Sequence, residues 1–146
     1  MNANELRIGN IVSGRNDPEM IVHNIYKSGC VELAFIGMET DEAEEYGLWY
    51  YEVEELKPIP LTPEWLTRAG FVKEFDDVYS IGLPTGDGVD LLLEWGDCSL
   101  RRNHVGKEKK KGDKNPYDYA YIKSPKYVHQ LQQLYFSLSG KELEFK

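Results

Sequence analysis

The sequence predicts an α+β fold: a small curled antiparallel sheet or SH3-like barrel in the N-terminal half, then a helix, an antiparallel sheet and a C-terminal packing helix. Three observations predict it. Residues 6–53 break into four or five short strand-like runs separated by turn residues, a spacing typical of small sheets and barrels. A second set of such runs follows residue 78. Finally, Tyr127, Val128, Leu131, Leu134, Tyr135 and Leu138 recur at helical spacing as one apolar stripe near the end of the chain.

A chain of 146 residues has the size of a single domain and can bury a real core. Ten Tyr, five Phe and three Trp supply apolar surface to offset the ordering entropy, which argues against wholesale disorder. No run approaches the ~20 consecutive apolar residues of a membrane helix. The start, Met1-Asn2-Ala3-Asn4-Glu5, has neither a basic n-region nor an apolar h-region, so no secretory signal is expected there. Cys30 and Cys98 lie too far apart for a paired zinc knuckle and form no disulfide framework. Two buried thiols in a reducing cytoplasm are the expectation.

Taking the elements in order, Leu6 to Val12 alternates and then slips at Gly9-Asn10, a bulge or bend. Met20 to Tyr26 places Met20, Val22 and Asn24 on one face, with Ile21, His23 and Ile25 on the other. Lys27-Ser28-Gly29 turns into Cys30–Ile36, where Val31, Leu33 and Phe35 share a face. Gly47–Val53 is a further, aromatic strand. Lys57-Pro58-Ile59-Pro60-Leu61 cannot be helical, because alternate prolines remove donors and force their predecessors to extend. Thr62 then caps a short helix, with Pro63 at its first position, Glu64 on the positive end of the dipole and Gly70 at its end.

Val78–Ile81 and Val89–Trp95 flank the turn Leu83–Gly88 and form a hairpin, with Val89, Leu91, Leu93 and Trp95 facing one way and Asp90 and Glu94 the other. Cys98–Arg102 and Tyr117–Ile122 complete that sheet. The loop between them, residues 103–116, has the length at which structureless loops become uncommon. In the last helix Ser124 caps, Pro125 starts and Gly140 stops. Its stripe is worth on the order of 10 kcal/mol of gross burial. The tail Leu143-Glu144-Phe145 reads as a last strand. The organisation is a β-rich SH3-like subdomain over 1–57, a proline-rich connection over 58–63 and an α-β-β-β-β-α subdomain over 64–146, compatible with one domain overall.

Three stretches carry a resemblance: Glu5–Asn10, Pro58–Leu66, and Tyr127–Phe136 continued by Ser139–Leu143. Together they span the chain, and they resemble an uncharacterised family of short proteins common in Bacteroidetes genomes and their phages or integrated elements. The resemblance implies no activity, cofactor or partner; it implies a role in a mobile element.

Charge is unevenly spread. The net charge is −8, yet Arg101–Lys114 holds seven basic residues against Glu108 and Asp113, while Glu39–Glu55 holds eight acidic residues and no basic one. An acidic protein is repelled by phosphate backbones at long range, so general nucleic-acid affinity is not implied. The basic loop would still serve as a local arm. Arg101, Arg102, Lys107, Lys109, Lys110 and Lys111 would contact phosphate or an acidic partner, with Tyr117, Tyr119 and Tyr121 as stacking platforms. About five net neutralisations would give a log–log salt slope near −4.5. The competing reading is a solvated loop with the tyrosines packed against a neighbouring strand or helix.

Other motifs are weaker. Asp90, Asp97, Glu108 and Lys110 supply the residue types of a metal-dependent nuclease, but Glu108 sits in a glycine-flanked polar run with nothing rigid to hold it. Gly86-Asp87-Gly88 precedes a strand rather than the helix a phosphate cradle needs, and reads as a turn. His23, His104 and His129 show no metal-ligand spacing, and His129 reads as a helix-surface or capping residue. Asp41–Glu45 reads as a solvated acidic run. No catalytic residue, metal site or cofactor is expected. The function reading is a non-enzymatic binding or accessory module contacting protein or nucleic acid and no membrane. Its rivals are a metal-dependent nucleic-acid-processing enzyme and a structural component that uses Trp49-Tyr50-Tyr51 as an interface.

Overall fold

The computed structural model of the chain describes residues 1–38, 48–94, 96–103 and 117–146. Its fold is α+β, with two antiparallel sheets of four and five strands. Two α-helices and two 3-10 turns, Ala3–Glu5 and Val53–Glu55, accompany them among the described residues. The chain divides into two units, Met1–Pro60 with Lys126–Gln133, and Leu61–Pro125 with Leu134–Lys146. The C-terminal helix therefore contributes residues to both.

In the first unit β1 (Ile11–Val12), β2 (Met20–Ile25), β3 (Cys30–Phe35) and β4 (Trp49–Glu52) pair in sequence order. Among the described residues β1 and β4 remain edges, so of the two forms the sequence leaves open, the open sheet is found rather than the closed barrel. The strand expected over Leu6–Val12 shrinks to its last two residues. Gly9 takes φ +89°, and the Asn10 side chain accepts the Arg7 N–H at 2.8 Å, turning the chain where the alternation slips.

A register shift between Val22 and Asn24 inserts one extra residue. It exchanges the faces expected for Asn24 and Ile25. Asn24 now pairs with Glu32, while Ile25 pairs with Val31 and packs on the core. That core gathers Leu6, Val12, Met20, Val22, Val31, Leu33, Val53 and Leu56. Gly14 lies so close that an added Cβ would sit 3.1 Å from the Tyr51 ring and 3.2 Å from the Met20 sulfur. Cys30 is only half-buried, against the expectation of two buried thiols, because it opens a strand beside the exposed turn at Ser28.

Helix α1 (Pro63–Arg68) and helix α2 (Val128–Ser139) are the two α-helices. The second starts three residues later than Pro125. Residues 125–127 lie outside the helix: Tyr127 bridges to Pro60, and the Val128 N–H donates to the Ile59 carbonyl at 3.0 Å. Within the first unit Gln132 is buried. Its Oε1 accepts the Ile11 N–H at 2.8 Å and its Nε2 donates to the Gly9 carbonyl at 2.9 Å. His129, expected at the helix surface, is 1% exposed and stacks on Tyr127 with an interplanar angle of 9°.

In the second unit Thr62 caps α1 by accepting the Trp65 N–H, with Pro63 at the first position and Gly70 at φ +84° behind it. The sheet runs in the order β5 (Val72–Phe75), β6 (Val78–Gly82), β7 (Val89–Glu94), β8 (Asp97–Asn103) and β9 (Tyr117–Ile122). Strand β5 is absent from the sequence reading. It is an edge with mostly exposed side chains, so it lacks the buried-exposed alternation that marks a strand. Leu91, Leu93, Cys98 and Tyr79 lie on the buried face. Trp95, expected on that face, is outside the described residues. The tail forms no strand. Leu143 is buried, Phe145 meets Trp65 edge-on at 5.3 Å, and the Lys146 N–H donates to the Arg68 carbonyl.

Candidate functional site

The two faces of the second sheet differ sharply. Direct cross-strand partners share a face, so the registers place Val72, Ser80, Leu92, Ser99 and Tyr121 in one row. Asp90, Arg101 and Tyr119 lie beside them. On this face Tyr121 is 78% exposed, Phe75 72%, Val72 66% and Tyr119 42%. Four large apolar or aromatic side chains are thus left to solvent on one sheet face, where scattered single exposures are the norm.

Beside Phe75, Tyr119 and Tyr121 lies a cavity of about 300 Å³. Leu92 and Ser99 lie among its lining residues, both buried, together with Phe75, Val78, Tyr119 and Tyr121. Its charged centre is Arg101, whose Nη1 and Nη2 donate to the two oxygens of Glu74 at 2.8 and 2.6 Å. Nη2 also donates to Asp90 Oδ2 at 2.9 Å, and the guanidinium lies 4.8 Å over the Tyr117 ring. Ser80 donates to Glu74 at 2.7 Å. Arg101, followed by Ser80, holds the Glu74 carboxyl below its ordinary range, and Glu74 in turn raises Arg101. Both stay ionised at any physiological pH.

Glu94 and Asp97 also lie at the cavity, directly opposite each other across the β7–β8 pair. Among the described residues neither carboxylate has an ion pair or a hydrogen-bond donor. Like charges facing one another across a sheet are mutually destabilising. With Glu74 and Asp90, which pair with Arg101, the described part of the face carries four carboxylates against one guanidinium and is acidic.

The sequence-predicted residues scatter over this frame. Arg101 lies in the cavity, already held by two carboxylates. Arg102 is exposed on the opposite face, opposite Asp118. Tyr119 and Tyr121 are exposed, while Tyr117 is half-buried and edge-on to Tyr119 at 6.2 Å. Lys107, Lys109, Lys110 and Lys111 lie outside the described residues, as do Glu108, His104 and the acidic run Asp41–Glu45. Asp90 and Asp97, considered for a metal, fall on the same face, but Asp90 is paired with Arg101. Among the described residues no group of three His, Cys, Asp or Glu converges to hold a metal ion.

Glu74, Phe75 and Glu94 are the residues the sequence reading misses. A signal existed for the first two: Phe75-Asp76-Asp77-Val78 carries a two-residue turn, and Asp77 takes φ +62° there. Elsewhere, Gly86 and Gly88 take φ +78° and +66° in the turn before β7, as turn chemistry requires. Burial pushes the Cys98 thiol up to about 11, so it is a packing residue and not a nucleophile. No helix among the described residues is long and apolar enough to cross a membrane.

Comparison with family models, with curated proteins and with solved structures returns no match to this chain.

Proposed function

We propose that this chain is a non-enzymatic binding or accessory module whose partner docks on the open face of its second sheet. One observation carries the reading: Phe75, Tyr119 and Tyr121 are exposed together around a cavity whose guanidinium is already paired with two carboxylates, and Val72 is exposed on the same sheet face. Exposed aromatic side chains on a rigid sheet are the usual anchors of a protein interface. The surrounding carboxylates disfavour a phosphate backbone here, so a protein partner fits this face better than a nucleic acid. Nucleic-acid contact through Lys107, Lys109, Lys110 and Lys111 is the second reading, and it needs Tyr119 and Tyr121 as platforms. The resemblance of Glu5–Asn10, Pro58–Leu66 and Tyr127–Phe136 with Ser139–Leu143 to short Bacteroidetes and phage proteins supports a role in a mobile element as part of the same proposal. An SH3-like adaptor role for the first unit, and a cytoplasmic setting, belong to the same proposal.

A photo-cross-linking amino acid at position 121, with position 87 on the β6–β7 turn as control, tests it in the source cell. A protein adduct at 121 that is absent at 87, and lost when Tyr119 and Phe75 are changed to Ser, is expected. Nucleic-acid adducts at 121 would favour the second reading. Equal labelling at 121 and 87 would overturn the docking face.

A further inference from the structure

Glu94 and Asp97, beside the cavity and without a partner cation among the described residues, bear on the nature of the partner. Glu94 and Asp97 close a two-residue connection in which Gly96 takes φ +93°, and the register holds their side chains on the same face. Two like charges thus face each other with no cation among the described residues to separate them, an arrangement that is unfavourable across a sheet. Arg101, the cation that lines the cavity, is committed to Glu74 and Asp90. Aromatic surface adjoins the pair: Tyr119, Tyr121 and Phe75 line the same cavity. Carboxylates supply charge and donor-accepting oxygens for a cation, and aromatic faces supply cation–π contact and apolar cover for its stem. An anionic ligand meets repulsion at this place, and a purely apolar one leaves two carboxylates desolvated without a partner.

We infer that the cavity takes a cationic side chain, arginine or lysine, from a basic segment of a partner protein, with Glu94 and Asp97 receiving the charge. The inference rests on the docking face proposed above and specifies its occupant. Its driving observation is charge complementarity: a negative pair with no counterion among the described residues, set beside exposed aromatic rings. The same pair gives selectivity, because it rejects acidic segments by the charge that recruits basic ones.

The test is selection of a displayed library of random linear heptapeptides on the full chain. The expected result is enrichment of peptides that contain arginine or lysine next to an apolar residue. The best of these should bind the Glu94→Gln/Asp97→Asn double variant roughly five- to tenfold more weakly. The double variant should unfold at the same temperature or higher, since it removes a repulsion. Asp76→Asn/Asp87→Asn, which changes net charge equally elsewhere on the unit, should bind as the parent chain does. Enrichment of acidic or uncharged peptides, no enrichment, or equal weakening by the two double variants would overturn the inference. If uncharged peptides are enriched and depend on Tyr121, the docking face stands and only the cationic occupant fails. If peptides bind regardless of Tyr119, Tyr121 and Phe75, both fail.

Discussion

Arg101 and Glu74 are locked by two parallel hydrogen bonds of 2.8 and 2.6 Å, linking the edge strand β5 to β8 across two intervening strands. The fork fixes the centre of the exposed face and consumes its cation. Breaking it from the arginine side leaves Glu74 and Asp90 facing each other without a counter-charge. Arg101→Ala is expected to cost about 2–4 kcal/mol, Glu74→Gln about 1–2, and Asp90→Asn under about 1 because solvent screens that carboxylate. Urea unfolding of the three variants checks the order; Asp90→Asn as the most harmful would contradict it.

Gln132 is polar and lies within the helix, yet it satisfies one donor and one acceptor at the start of β1. Gln132→Leu should cost about 2–3 kcal/mol, because the Ile11 N–H and the Gly9 carbonyl are then buried without partners. A neutral result in thermal unfolding would mean that water replaces the side chain freely.

These two cases show what was legible. The strands β2, β3, β7 and β9, the cap at Thr62 and the helical stripe all follow from local pattern, since alternation, turn residues and period 3.6 are written along the chain. Gln132 acts on Ile11 and Gly9, and Glu74 on Arg101, all more than 20 residues away, and no local pattern announces such contacts. The helix start was misplaced for a related reason. Pro125 is a good first helical residue, but pairing of Tyr127 with Pro60 keeps residues 125–127 out of the helix. Of the docking face, Tyr119 and Tyr121 were visible as an alternating pair. Their exposure depends on what covers the sheet, which is a tertiary matter.

His129 is buried, its Nδ1 has no hydrogen-bond partner among the described residues, and burial lowers its pKa below the ordinary 6.5, against an opposing effect of Glu5. In the window between the lowered folded pKa and 6.5 the unfolded chain binds one more proton than the folded chain. Stability therefore falls as pH falls through that window, by up to about 1.4 kcal/mol per pH unit. His129→Phe should flatten this slope while leaving the behaviour above pH 7 little changed. Thermal unfolding from pH 7.5 to pH 5 checks it, and an unchanged slope would assign the acid sensitivity to another group.

Glu32 is buried on β3 and is held ionised by hydroxyl donors, Tyr26 first at 2.7 Å and then Tyr50. Its folded pKa is lowered, so its contribution is present above the unfolded value and is lost as pH falls through the folded one. Tyr26→Phe should therefore raise the Glu32 pKa, as followed by NMR titration of its carboxyl carbon. No movement would show that Tyr50 alone carries the effect.

Gly14→Ala should destabilise the first unit by about 1–3 kcal/mol, because the new methyl meets the Tyr51 ring and the Met20 sulfur at once. Gly14→Ala with Tyr51→Leu should recover most of the loss. Equal loss in both would place the strain in the backbone instead.

The docking face itself is tested most directly by amide chemical-shift mapping of the full chain, titrated with the basic heptapeptide selected on it. The account predicts the largest shifts at Phe75, Ser99, Arg101 and Tyr121 on the open face of the second sheet, with the first sheet unmoved. Shifts confined to β2–β4, or spread evenly over both sheets, would contradict it.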